Sequence, residues 1–137
     1  MASDGTVLFL CPHNAAKSLL AAAEFDRLAL ARGLPLRADT AGTEPDVGPA
    51  PAVVAALAAE GIDVSAHRPR RVTAADLANA VRVVSLGCGR EALGFPVARL
   101  DQWDDVPAAS RDLDAARAAI RRHVESLVAD LSRDHGA

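Results

Sequence analysis

The sequence predicts an α/β fold built on a parallel sheet, and three observations lead there. A continuous apolar run of β-favouring residues, Thr6 to Leu10, stands near the start, as in a strand buried on both faces. Helical patterns then alternate with further short strand-like runs, and such alternation implies parallel neighbours joined by right-handed crossovers. Gly and Pro fall between the segments, without a repeat, a long linker or a low-complexity block, so the 137 residues read as a single domain over 1–137.

Taken in order, Thr6 to Leu10 is the first strand, and a loop from Cys11 leads into a helix over Ser18 to Arg32. The apolar positions Leu20, Ala23, Leu28 and Leu30 give that helix its face, and Gly33 with Pro35 end it. Leu36 to Thr40 is a second strand that runs into Ala41-Gly42. Asp46 to Pro51 is a Pro- and Gly-rich surface loop, followed by an Ala-rich helix from Pro51 to Glu60 that stops at Gly61. Thr73 stands three residues before Asp76, the spacing of a capping box, so a short helix starts there. Val81 to Leu86 is the third strand, ending at Gly87-Cys88-Gly89, and Val97 to Leu100 is the fourth. Ser110 reads as the N-cap of the last helix, whose stripe is Leu113, Ala116, Ile120, Val124, Leu127 and Leu131.

Half of the residues are apolar and the formal net charge is −3, which excludes a disordered segment and gives no reason to expect a nucleic-acid or membrane partner. The basic cluster Arg68, Arg70 and Arg71 reads as a solvated strip. Two cysteines, Cys11 and Cys88, cannot make a multi-bridge secreted framework. Met1 to Asp4 carries no basic leader, and Val7 to Leu10 is too short for a signal core. The expectation is therefore a cytoplasmic protein, and the Ala, Arg and Val bias points to a bacterial, high-GC source. No His or Cys spacing supports a metal site.

In such sheets ligands bind at the carboxyl ends of the strands. Cys11-Pro12-His13-Asn14-Ala15-Ala16-Lys17-Ser18 occupies that position between a buried strand and a helix start. There, backbone N–H groups and the helix dipole converge on an oxyanion. They also favour thiolate over thiol at the first loop residue, which suits Cys11 to attack phosphorus or arsenic in line. Ser18 is placed to donate to the sulfur. Asn14 tolerates the left-handed backbone that a tight nest of N–H groups requires.

These residues resemble the low-molecular-weight protein tyrosine phosphatase and thioredoxin-type arsenate reductase superfamily. Its signature is a cysteine, five residues, an arginine and a serine after the first strand, with an asparagine inside the loop. Cys11, Asn14 and Ser18 match, and Lys17 stands where the family has arginine. Ala41-Gly42-Thr43, Gly61 to Ser65 and His67-Arg68 resemble further family segments, so the likeness runs from Val7 to Leu131. It implies a three-layer domain with four parallel strands in the order 2-1-3-4, a cysteinyl phospho- or arseno-intermediate, and no cofactor. Lys17 keeps the charge but loses the planar fork that grips two oxygens, weakening transition-state stabilisation by roughly a few kcal/mol at most. His13 replaces a small residue and narrows the mouth or adds a donor. His67 is placed to hydrogen-bond to Asn14.

The resemblance also implies a general acid from the loop after the fourth strand, here Asp101-Gln102-Trp103-Asp104-Asp105-Val106-Pro107. Asp105 is the first choice, with Asp104 and Asp101 behind it, and the like charge of Asp104 should raise the Asp105 pKa. Cys88 resembles the second cysteine of thiol-coupled arsenate reductases, which attacks the arsenylated first one. Its backbone is expected about one strand spacing, ~5 Å, from that of Cys11. A small buried hydrophobe is the alternative role. The third cysteine of those enzymes is absent, so an external thiol or redoxin would be the electron donor. The chain has no Tyr, Phe9 and Phe25 read as core, and Trp103 lines the mouth or packs at the surface. Three readings follow: an arsenate reductase-like enzyme, a phosphatase acting on phosphomonoesters through phosphocysteine, or an oxyanion-binding protein impaired by Lys17.

Overall fold

The computed structural model describes residues 5–97 and 99–135. The strands are β1 (Gly5–Leu10), β2 (Leu36–Ala41), β3 (Arg82–Ser85) and β4 (Leu100–Gln102). The helices are α1 (Lys17–Ala31), α2 (Pro51–Ala58), α3 (Ala74–Asn79) and α4 (Leu113–His135). The four strands are parallel and ordered β2-β1-β3-β4, as the family resemblance implied.

β1 is central and alternates its side chains between two cores. Val7 and Phe9 face the larger one with α1, α2 and α4, where the Phe9 and Phe25 rings meet at 5.6 Å. Leu8 and Leu10 face a smaller core with Val72, Leu77 of α3, Leu93 and Cys88. A strand buried on both faces has no polar side to alternate, hence the unbroken apolar run. In α4 the predicted stripe is inward: Ala116, Ile120, Val124, Leu127 and Leu131 are buried.

Some elements differ from the sequence pattern. The buried stripe of α1 runs through Ser18, Ala21, Phe25 and Ala29; Leu30 lies about 100° further round and is 85% exposed. β4 is not Val97 to Leu100 but Leu100–Gln102, paired Val83 to Leu100 and Ser85 to Gln102. Pro96 cannot donate to a ladder, and the Val97 carbonyl accepts from Arg90 Nη1 at 2.9 Å instead; Ala98 lies outside the described residues. Ser110 does not cap α4, because Asp112 Oδ1 accepts the Ala115 N–H at 3.0 Å. The capping box at α3 is present, with Thr73 Oγ1 accepting from Asp76 N–H and Asp76 Oδ2 from Thr73 N–H. Among the described residues no helix is long and apolar enough to cross a membrane.

Candidate active site

The loop after β1 turns its carbonyls outward. The Pro12 carbonyl accepts from Glu44 N–H at 2.7 Å, that of His13 from Asp46 N–H at 3.0 Å, and that of Ala15 from Ala50 N–H at 2.9 Å. The Asn14 carbonyl accepts from His67 Nε2–H at 3.0 Å. The Cys11 and Ala16 carbonyls accept from Asn14 and Leu20 N–H. Four carbonyls, those of Pro12, His13, Asn14 and Ala15, are thus held from outside the loop. Apart from the Asn14 N–H, which bonds to the Cys11 carbonyl, this leaves the loop N–H groups to serve as an anion nest. A loop tied at so many points is also pre-organised, so binding an oxyanion there costs little ordering.

Beneath the nest, Asn14 fixes the backbone. It is fully buried with φ of 51°, its Oδ1 accepts the Arg70 N–H at 3.0 Å, and its Nδ2 donates to Ser18 Oγ at 3.0 Å. Cys11 Sγ lies 3.1 Å from Ser18 Oγ and 3.4 Å from the Ser18 N–H. Because Oγ already accepts from Asn14, its own proton is free to donate to a thiolate at Cys11. Arg70, read as part of a solvated strip, instead bridges Asp39 and Asp76 at 2.9 and 2.8 Å. That holds its backbone where Asn14 needs a donor.

Two glycines let neighbouring backbone approach. A Cβ at Gly42 would come 2.6 Å from the Pro12 carbonyl and 2.7 Å from that of Cys11. A Cβ at Gly87, where φ is 102°, would lie 3.3 Å from Lys17 Nζ. The ammonium of Lys17 therefore rests beside the turn after β3, at the rim of the nest.

A cleft of about 510 Å³ opens over the sulfur. Of the residues singled out from sequence, Cys11, Pro12, His13, Ala15, Ala16 and Lys17 line it, together with Asp46, Ala50 to Val53, and Ala108 to Ser110. Asn14 and Ser18 are buried below it. Asp46 was hidden in a segment that reads only as a Pro- and Gly-rich surface loop. Among the described residues no Phe or Trp lines the cleft: Trp103 is buried, stacked on His123 at 4.7 Å and tilted against Phe9 at 5.8 Å.

The candidate acids Asp101, in β4, and Asp104 and Asp105, in the loop after it, stand elsewhere. Asp105 Oδ1 accepts from His123 Nε2–H at 2.7 Å. That hydrogen bond holds its carboxyl below the usual range rather than above it, so the expected effect of Asp104 is overturned. Asp101 is paired with the buried Arg82 at 3.0 Å. Asp104 is exposed and does not line the cleft.

Cys88 also departs from expectation. Leu10 pairs with Ser85 and the Leu86 N–H bonds to the Leu10 carbonyl, so Leu86, not Cys88, follows level with Cys11. Cys88 sits two residues on, in a turn closed by Ser85 Oγ, which bridges its N–H and carbonyl at 2.8 and 2.6 Å. Its sulfur is buried, 3.8 Å from Thr43 Oγ1. Burial pushes the thiol up, and negative charge at Cys11 acts in the same direction. Both cysteines are free. Among the described residues no three His, Cys, Asp or Glu side chains cluster as a metal site.

The same architecture recurs in solved structures. YfkJ from Bacillus subtilis is 25% identical with a TM-score of 0.81, covering 97% of this chain and 98% of that one. A Corynebacterium glutamicum thioredoxin-dependent arsenate reductase is 23% identical with a TM-score of 0.80, covering 96% of this chain and 64% of that one. A low molecular weight protein tyrosine phosphatase from T. tengcongensis is 21% identical with a TM-score of 0.73, covering 96% and 99%. No curated protein matches the chain in sequence. The family described as low molecular weight phosphotyrosine protein phosphatase matches residues 6–93, the span that holds the nest, both glycine approaches and both cysteines, and the chain belongs to it.

Proposed function

We propose that this protein is a cysteine-dependent enzyme of the arsenate reductase type, in which Cys11 attacks a tetrahedral oxyanion held by the loop N–H groups and Lys17. The outward turn of the loop carbonyls carries this reading. It leaves an N–H cradle around the sulfur that stabilises added negative charge in the transition state. Attack forms the S–As bond as an As–O bond breaks and the leaving oxygen takes up a proton. Cys88 then attacks Cys11 Sγ: the S–S bond forms, and the S–As electron pair departs on arsenic as arsenite. An external thiol or redoxin restores the two thiols. The turn that carries Cys88 begins level with Cys11, which supports Cys88 in this role. Its burial requires the turn over Gly87 and Gly89 to shift first.

A second reading, hydrolysis of a phosphomonoester through phosphocysteine, is favoured by the cleft walls. Ala50, Pro51, Ala52, Ala108 and Ala109 offer apolar surface beyond the size of an inorganic anion. The deciding experiment measures arsenate reduction with dithiol or redoxin donors and p-nitrophenyl phosphate hydrolysis, in wild type, Cys11→Ser and Cys88→Ala. The reductase reading expects Cys88→Ala to lose arsenate turnover. Unchanged arsenate turnover in that variant removes Cys88, and p-nitrophenyl phosphate hydrolysis that depends on Cys11 alone favours the phosphatase.

A further inference from the structure

From the cleft over Cys11, which Asp101, Asp104 and Asp105 do not line, we infer that His13 is the proton donor to the leaving group. The inference rests on the proposed attack by Cys11. His13 is exposed, lines the cleft and follows the nucleophile by two residues. Its Nδ1 lies 3.1 Å from the Glu44 carbonyl. A carbonyl only accepts, so Nδ1 carries a proton, and Nε2 is the nitrogen left for chemistry. The same loop–loop contact is reinforced by Glu44 N–H and Asp46 N–H, which bond to the Pro12 and His13 carbonyls. The ring is thus oriented by the segment that also builds the nest.

The competing donors are few. Asp101 is paired with Arg82, Asp104 and Asp105 do not line the cleft, and the loop after β4 presents Ala108, Ala109 and Ser110 to it. The other titratable side chains lining the cleft are Cys11, Lys17 and Asp46. Asp46 is tethered through its backbone N–H on the His13 carbonyl.

In the step, the Cys11 thiolate forms the bond to phosphorus or arsenic while the bond to the leaving oxygen breaks. The departing oxygen keeps that electron pair and takes the Nε2 proton of the imidazolium. For a phosphoryl group, neutral Nε2 next accepts a proton from the water that forms the new P–O bond, and Cys11 leaves as thiolate. Nδ1–H stays on Glu44 throughout.

The test compares single-turnover phenol release from phenyl phosphate and from 2,4-dinitrophenyl phosphate. The proteins are wild type, His13→Asn, Asp46→Asn and Cys11→Ser. Asparagine at 13 retains an amide donor for the Glu44 carbonyl but cannot supply an acidic proton. Phenolate is a poor leaving group and needs the proton, whereas dinitrophenolate does not. His13→Asn is expected to slow release from phenyl phosphate by about a hundredfold or more and to leave the dinitrophenyl ester within about threefold. Adding imidazole should restore part of the loss. Equal losses on both esters would mean a structural role and overturn the assignment. A selective loss in Asp46→Asn with His13→Asn unaffected would transfer the role to Asp46. If wild type releases neither phenol faster than Cys11→Ser, attack by Cys11 on phosphomonoesters fails and the assignment of His13 falls with it, a result distinct from failure of His13 alone.

Discussion

Ser18 Oγ stands 3.1 Å from Cys11 Sγ and is held there by Asn14 Nδ2 at 3.0 Å. The hydroxyl therefore has one acceptor site filled and one proton to give, and the sulfur is its receiver when ionised. Ser18→Ala removes that donor without disturbing the loop carbonyls. Because a hydrogen bond to a charged group is worth about 1.5–3 kcal/mol, iodoacetamide alkylation of Cys11 at near-neutral pH should slow by about tenfold or more. An unchanged rate would mean that the backbone N–H groups alone hold the thiolate.

Asn14 joins three segments, and its removal should be felt in stability. Asn14→Ala leaves the Arg70 N–H without its acceptor and puts Ala at a φ of 51°. Together these should cost about 2–4 kcal/mol, seen as a lower midpoint in urea. Asn14→Gly relieves the backbone strain only, so it should recover part of the loss and none of the oxyanion affinity. Full recovery of both would reduce Asn14 to a conformational role.

Gly42→Ala tests the close approach of the β2 end to the nest. The added Cβ meets backbone carbonyls of Pro12 and Cys11 rather than a flexible side-chain tip, so the loop must shift as a unit. A destabilisation of about 1–3 kcal/mol is expected, with phosphate protection of Cys11 against alkylation lost in parallel. A variant with wild-type stability and protection would show that the two segments can separate freely.

Lys17 and Gly87 form a testable pair at the rim. Lys17→Ala should weaken phosphate binding by about tenfold or more through loss of one charge-assisted contact. Gly87→Ala, which crowds Nζ and strains a φ of 102°, should weaken it less. Lys17→Arg restores the planar fork and is expected to tighten binding. Isothermal titration with inorganic phosphate orders the four proteins, and an affinity unaffected by Lys17→Ala would take the ammonium out of the site.

The nest was legible in the sequence because it needs residue types with few substitutes. A cysteine directly after an apolar strand, an asparagine that accepts positive φ and a serine at the helix start leave little else to build. The sheet was legible for the same reason, since a strand buried on both faces cannot hide its composition. What could not be read was partnership between distant carboxylates and cations. Asp105 stands in a sequence that looks like an acid loop, yet His123 of α4, 18 residues on, captures it. Register was equally hidden: Cys88 ends a strand in sequence, but pairing Leu10 with Ser85 places it past the level of Cys11. Asp46 reached the cleft through a backbone bond to His13, for which no side-chain pattern gives a signal.

Cys88 should report its burial directly. Both thiols are buried, but Cys11 lines the cleft and Cys88 does not. In the folded protein Cys11 should therefore react first with a small alkylating reagent and Cys88 should label after denaturation, as peptide mass spectrometry can show. Its thiol is raised in the fold, so the protonated form is favoured there relative to the unfolded chain. That contribution to stability is fully present below the ordinary thiol value, near ~8.5, and is lost as pH rises through the folded-state value. Cys88→Ala should therefore show a shallower alkaline loss of stability than wild type. Parallel alkaline limbs would mean that the turn opens before the thiol titrates.

The pair between Asp105 and His123 gives the opposite sign at the acid end. The Asp105 carboxyl is lowered by its hydrogen bond to His123 Nε2–H. A lowered carboxyl contributes stability that is present above its unfolded value, near ~3.9, and is lost as pH falls through the folded-state value. Both partners are accessible to water, so the contribution should be under about 1 kcal/mol and should shrink with added salt. His123 has a second role that Asp105 lacks, because its ring covers the buried Trp103 at 4.7 Å with an interplanar angle of 11°. Asp105→Asn should thus lower stability slightly above the acid transition and converge with wild type below it. His123→Ala should lose more at every pH, because Trp103 is uncovered as well. Trp103 fluorescence should shift to the red in His123→Ala and stay unchanged in Asp105→Asn. A red shift in both would mean that the ion pair, and not the stacked ring, keeps Trp103 packed against Phe9.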